Sequence, residues 1–288
     1  MRLARDDWQQ RRSDHRRRLG PIADDRIDRN GAKHPVYDFL FVYYAFRPSH
    51  ILRWSPGPGV LLEGQTLDEC DWPQHFVEVD GGTILHPESL GAQRHAHLGW
   101  AIEYLEAVAA REPSFHCFGW HEWAMVYRTA DVRHGQYPLR LGRTDTDRAV
   151  EAANLRCTHF DAFRFFAADA VSRNRWPLTR NDSAAFDQPG CIHATMDLYK
   201  FAYKLAPYVD SDLLADALEL AIAAREIDMR ASPYDLSSLG FAPICVETRE
   251  GREEYAAVQQ TFFHRSVPIR QRLIERYREI ASAVGIAH

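Results

Sequence analysis

Four side chains able to do chemistry recur along residues 189–207: His193, Asp197, Lys200 and Lys204. On a helix, at about 100° per residue, they fall within roughly 60° of one another. Nearly every other residue there is apolar or aromatic, including Ile192, Met196, Leu198, Tyr199, Phe201 and Leu205. A surface helix carries an apolar stripe on a polar background, and this segment inverts that. Such a helix is buried on most sides, so its polar stripe must face something polar. His193 and Asp197, four residues apart, could reach one metal ion or one substrate. Lys200 beside a carboxylate in a low-dielectric cleft could bind an anion, or act as an amine nucleophile once burial lowers its pKa. The chain has only three lysines, Lys33, Lys200 and Lys204, and two lie on this stripe. The plainer alternative is a stripe facing water, with Asp197 and Lys200 as an ion pair one turn apart.

Two further clusters carry titratable groups among aromatics. Phe118-Gly119-Trp120-His121-Glu122-Trp123 sets a His-Glu pair between tryptophans. Apolar surroundings raise a carboxyl pKa and suit it to acid or base work; the alternative is a satisfied polar pair at a helix start. Cys157-Thr158-His159-Phe160-Asp161 places His159 and Asp161 on one side if extended. With a distant histidine, His193 or His121, they would match a 2-His-1-carboxylate iron site. If the segment is helical, the two diverge. A fourth group, Glu226, Asp228, Arg230 and Asp235, reads as structural, with Asp228 and Asp235 as possible supports for ligands.

The remaining sequence narrows the classes. There is no P-loop, no GxGxxG opening a helix, no GxSxG, no HExxH and no zinc-deaminase pattern. The net charge of −5 lacks the basic balance of a dedicated duplex-DNA binder, although residues 1–34 are arginine-rich. No apolar run is long enough to span a membrane, and the N-terminus has no apolar core of a secretory signal. Five widely spaced cysteines without a CxxC pair suggest reduced thiols and a cytoplasmic protein.

The elements expected to position these groups are mostly helices. Residues 1–34 read as a basic polar arm, mobile or a frayed helix, and 35–288 as a single helical domain. Pro35 opens a buried aromatic helix. Residues 76–79 and 83–85, around Asp80-Gly81-Gly82, read as a β-hairpin. Helices are expected over 87–111, 120–128, 146–153, 189–207 and 211–229, with Ser211 as a cap. A last helix, from Arg252 to Val284, should kink or break at Pro268. The fold class is mainly α with a minor β-hairpin.

Four segments, HEWAMVYR, CTHFDAFRFF, CIHATMDLYKFAYKLAPYV and DMRASPYDL, together resemble a group of bacterial proteins named 3-methyladenine DNA glycosylase, over about Lys33 to Glu247. The resemblance implies excision of an alkylated purine by hydrolysis of its N-glycosidic bond, with a pocket for a flipped base and no required cofactor. On that reading Glu122 or Asp197 is the acid/base or charge-stabilising carboxylate, and His121 and His193 orient water. Lys200 binds an anion or acts as nucleophile. Trp120, Trp123, Phe160, Tyr199 and Lys204 contact the base-containing substrate. The alternative from residue chemistry is a non-haem metal enzyme, oxygenase or oxidase in type. It would use iron or another divalent metal on His121, Glu122, His159, Asp161, His193 and Asp197. A third possibility is a non-catalytic helical binding protein.

Overall fold

A computed structural model of the chain describes residues 1–24, 33–130, 132 and 134–286. The fold is mainly α with one small sheet. The helices, in chain order, are α1 (Arg5–Asp24), α2 (Phe39–Tyr43), α3 (His95–Ala109), α4 (Trp120–Val126), α5 (Gly142–Ala152), α6 (Phe160–Phe163), α7 (Ala168–Val171), α8 (Ser183–Phe186), α9 (Ile192–Leu205), α10 (Ser211–Arg230) and α11 (Arg249–Ala283). The strands are β1 (Arg2–Leu3), β2 (Leu61–Glu63), β3 (Phe76–Val79) and β4 (Gly82–Leu85). No helix among the described residues is long and apolar enough to cross a membrane.

The chain forms two compact units. The first comprises Met1–Glu106, Leu198–Glu219 and Pro268–His288, and the second Ala107–Asp197 and Leu220–Val267.

The first unit holds the sheet, in the order β1-β2-β4-β3. The expected hairpin is β3–β4, pairing Phe76 with Leu85 and Val79 with Gly82. Gly82 has no room for a side chain, because a Cβ would sit 2.0 Å from the Leu62 carbonyl oxygen on β2. The segment expected as an arm is instead β1 and the packed helix α1; residues 25–32 of that arm lie outside the described residues. Trp8 and Leu19 are fully buried, and the Trp8 indole N–H donates to the Glu63 carbonyl at 3.1 Å. Burying an aromatic of that size contributes about 2–3 kcal/mol, enough to hold a highly charged helix in place. The aromatic run after Pro35 supplies only the short α2, whose Leu40 and Phe41 are buried. Asp210, not Ser211, caps α10 by accepting from the Leu213 amide at 2.9 Å, while Ser211 Oγ accepts from the Ser55 amide.

The second unit builds its helices around α4, α9 and α10. α11 continues through Pro268 without the expected break. Pro268 removes one backbone donor. Buried Phe262 precedes it and buried Ile269 and Leu273 follow, so both flanks stay helical by packing.

Candidate metal centre

Three short-range constraints aim side chains into the interior of the second unit. α4 starts at Gly119, whose φ of +74° suits glycine. A Cβ there would lie 3.1 Å from Ala231 Cβ and 3.5 Å from the Tyr255 ring. That tight start turns His121 and Glu122 inward, and both are buried. α9 is set by Gln188, whose Oε1 accepts from the Gly190 and Ser114 amides at 2.7 and 2.8 Å. Gln259 Nε2 donates to the Gly190 carbonyl at 2.6 Å. Thus the first turn of α9, carrying His193, is fixed before the helix begins. Asn174 pins residue 157 in extended form through both backbone groups of Cys157, and α6 starts directly after His159.

His121 from α4, His193 from α9 and Asp228 from α10 converge. One ligand atom from each lies within 4.8 Å of the others, and all three residues are buried. His121 Nε2 stands 2.8 Å from Asp228 Oδ1, with both side chains at 0% exposure. The two atoms form a buried ion pair. The His121 and His193 rings meet edge-on at 4.4 Å.

A charged network surrounds the trio. Arg225 Nη1 lies 2.6 Å from Glu122 Oε1 and 2.6 Å from Asp228 Oδ2, and all three side chains are buried. Arg225 Nη2 lies 3.5 Å from His134 Nε2. Burial alone would raise the Glu122 and Asp228 carboxyl pKa values. The Arg225 guanidinium beside Glu122, and His121 with Arg225 beside Asp228, reverse this and hold both carboxyls below their usual range. Burial likewise favours neutral His121, but Asp228 and Cys117 outweigh it and push its pKa up to about 10. His193 goes the other way: burial and the neighbouring His121 hold it well below the usual histidine value. Cys117 is drawn down to about 5, first by hydrogen bonding with Cys157 and, against burial, by His121.

A second layer adjoins His193. The His159 ring stacks on it at 5.2 Å and 17°. His159 Nδ1 lies 3.1 Å from Asp187 Oδ1, and its Nε2 lies 4.0 Å from Asp197 Oδ2, all three residues being buried.

The sequence-level candidates therefore separate. His121, His193 and the neighbouring His159 come together, and Asp197 sits beside His159 rather than in the trio. Glu122 is engaged by Arg225. Asp161 leaves the group: α6 begins at Phe160, so the two side chains diverge and Asp161 pairs with Arg164 at 3.0 Å. Phe160, at the start of α6, is only half-buried. Trp123 is fully buried and donates to the Ala231 carbonyl at 2.8 Å, a structural role. Trp120 is buried against Trp123 at 5.2 Å. Lys200, Lys204 and Tyr199 belong to the first unit. The Lys200 ammonium lies over the Phe201 and Tyr44 rings at 5.3 and 5.9 Å, Tyr199 is buried among aromatics, and Lys204 is exposed. Asp228 enters as a ligand-type residue rather than a support. Arg225, Asp187, His134 and Cys117 were not singled out in the sequence. The signal for Arg225 was an arginine within ALELAIAAREIDM, one turn before Asp228.

No protein-family model matches this chain, and no curated protein or solved structure matches it either.

Proposed function

We propose that this protein is a metal-dependent enzyme whose resident ion is held by His121, His193 and Asp228. The observation that carries this reading is their convergence from three helices, with ligand atoms within 4.8 Å of one another in a buried site. Two imidazoles and one carboxylate form the set that iron(II) uses in non-haem oxygenases, leaving positions open for substrate and oxygen. The 2.8 Å approach of His121 Nε2 to Asp228 Oδ1 supports it, since two ligand-type atoms already face one another out of water. Charge supports it too. With His121 neutral, as a metal ligand must be, Glu122 and Asp228 would face only the Arg225 guanidinium, and a bound cation would take the place of the His121 proton. Arg225 holds the Asp228 carboxylate through its second oxygen, orienting it as outer partners of metal ligands do. The ion would supply activation of oxygen or polarisation of a bound substrate.

Metal analysis of protein purified without chelators tests this. About one equivalent of a divalent transition metal is expected in the wild type, with loss in His193→Ala and in Asp228→Asn. A wild type that takes up no iron(II), manganese(II) or zinc(II) would refute the reading.

A second reading keeps the N-glycosidic hydrolysis that the sequence resemblance implies, with Asp197 as its carboxylate. Asp197 is 2% exposed and close to the His159 ring, a setting suited to stabilising a developing positive charge. Glu122 suits the acid role less, because Arg225 keeps it ionised. Release of methylated purine from alkylated DNA by metal-free protein, lost in Asp197→Asn, would promote this reading over the first.

A further inference from the structure

The second unit also carries an open cleft of about 450 Å³, lined by Phe118, Trp120, Ala149, Ala152, Asn154 and Arg252 among others. The volume falls in the range of small-molecule sites. One wall is aromatic and built under strain. Phe118 has φ +50°, a conformation disfavoured for a bulky residue, and Gly119 follows at φ +74°. Such outliers persist where the surroundings impose them and recur at binding sites. Trp120 is 5% exposed and stands in ring contact with Trp123. It lines the cleft beside Phe118.

The charges are unequal. Glu247, the carboxylate on the lining, is taken by Arg140, whose Nη1 and Nη2 grip its two oxygens at 2.9 and 3.1 Å. Arg252 uses only Nη1, which donates to the Val246 and Glu247 carbonyls at 3.0 and 3.3 Å. Its Nε and Nη2 make no hydrogen bond among the described residues. Asn154 Oδ1 accepts from Arg156 Nε and Nη2 at 3.2 and 3.0 Å, bringing a second guanidinium to the rim and leaving the amide N–H groups as donors. Two aromatic residues and a half-used guanidinium share one cleft.

We propose that this cleft binds a planar organic anion, its ring against Phe118 and Trp120 and its oxyanion on Arg252 and Asn154. The site stands apart from the metal reading, since none of the three proposed metal ligands lines it. The oxyanion can be a carboxylate or a phosphate, because a guanidinium fork serves both.

Isothermal titration tests it with four probes: 2-naphthoate, adenosine monophosphate, naphthalene-2-methanol and inorganic phosphate. At least one ring-bearing anion should bind with Kd below about 1 mM, and about tenfold or more tighter than the neutral ring or phosphate alone. Which anion binds identifies the oxyanion. Arg252→Gln should weaken it about tenfold. Because Arg252 also holds two backbone carbonyls, Ala152→Trp serves as the second variant. Ala152 is exposed on the cleft wall, so the indole fills the space while Arg252 keeps its backbone contacts, and binding should disappear. His193→Ala should bind the probe like the wild type even with its metal lost, so failure of the metal reading leaves this test intact. The proposal is overturned if neither anion binds, if the neutral ring binds as well, if both cleft variants bind normally, or if folded His193→Ala loses binding.

Discussion

The two units treat buried polar groups differently. In the first, such groups are mostly handled singly: His15 Nε2 lies 2.7 Å from the Ile51 carbonyl, Ser55 Oγ donates to the Pro207 carbonyl, and Tyr277 donates to the Phe201 carbonyl. Unpartnered atoms there, such as His97 Nε2 and the Tyr199 hydroxyl, are scattered. In the second, His121, Glu122 and Asp228 gather with Arg225 into one network of buried charges. Isolated polar burial fixes packing. Convergent burial of charges carries a desolvation cost and persists where something else uses the charges.

The sharpest way to break the contrast is to remove the charge that holds the second unit's cluster together. Arg225→Met leaves Glu122 without its cation and Asp228 with His121 alone, out of water, and a loss of about 3–5 kcal/mol is expected. Denaturant unfolding measures it. A loss below about 1 kcal/mol would show that the cluster is better hydrated than its burial indicates.

A metal should act on the second unit with the opposite sign. At a free concentration one hundred times Kd, iron(II) or zinc(II) should stabilise the wild type by about 2.7 kcal/mol. Thermal unfolding with and without metal reads this, and Asp228→Asn should erase the increment. An equal increment in the variant would assign the metal to another site.

The same contrast explains what could be read from the sequence. The inverted pattern of residues 189–207 exposed α9 as a buried helix with a functional stripe, because side-chain periodicity is a local property. The stripe then divides: His193 and Asp197 serve the second unit, while Lys200 and Lys204 lie in the first. Nothing local marks that division. Asp228 reads only as a possible support in a structural group and Arg225 is not singled out, because their convergence with His121 and Glu122 comes from separate segments and only packing reveals it. In α1 the buried stripe Trp8, His15, Leu19 and Ala23 was masked by surrounding arginines. Strands β1 and β2, two and three residues long, are too short to leave a period.

Within the first unit a single deletion should cost much less than in the second. Tyr277→Phe removes the donor to the buried Phe201 carbonyl at 3.0 Å and leaves the ring contacts in place. The expected loss is about 1.5 kcal/mol, the usual cost of stranding one buried acceptor. Chemical denaturation of this variant beside Arg225→Met gives the comparison directly. Equal losses would erase the distinction between isolated and convergent burial.

The smallest effect is a pH dependence in the first unit, from His97. Its ring stacks against Trp100 at 5.7 Å and meets Tyr277 edge-on. Burial, then the nearby Lys204, Arg94 and Lys200 cations, lower its pKa to about 4. In the unfolded chain the group titrates near the ordinary histidine value of 6.5. Between these values the unfolded state holds more proton, so stability rises with pH through this window. The contribution is complete above about pH 6.5 and is lost as pH falls towards 4. The full shift would correspond to about 3 kcal/mol, but the ring is partly open to solvent, and screening reduces this to about 1 kcal/mol. His97→Phe keeps the ring stack and removes the titration. Unfolding free energies at pH 7.5 and 4.5 should therefore fall further for the wild type than for the variant, by that amount. A variant whose stability falls as steeply would place the acid sensitivity elsewhere.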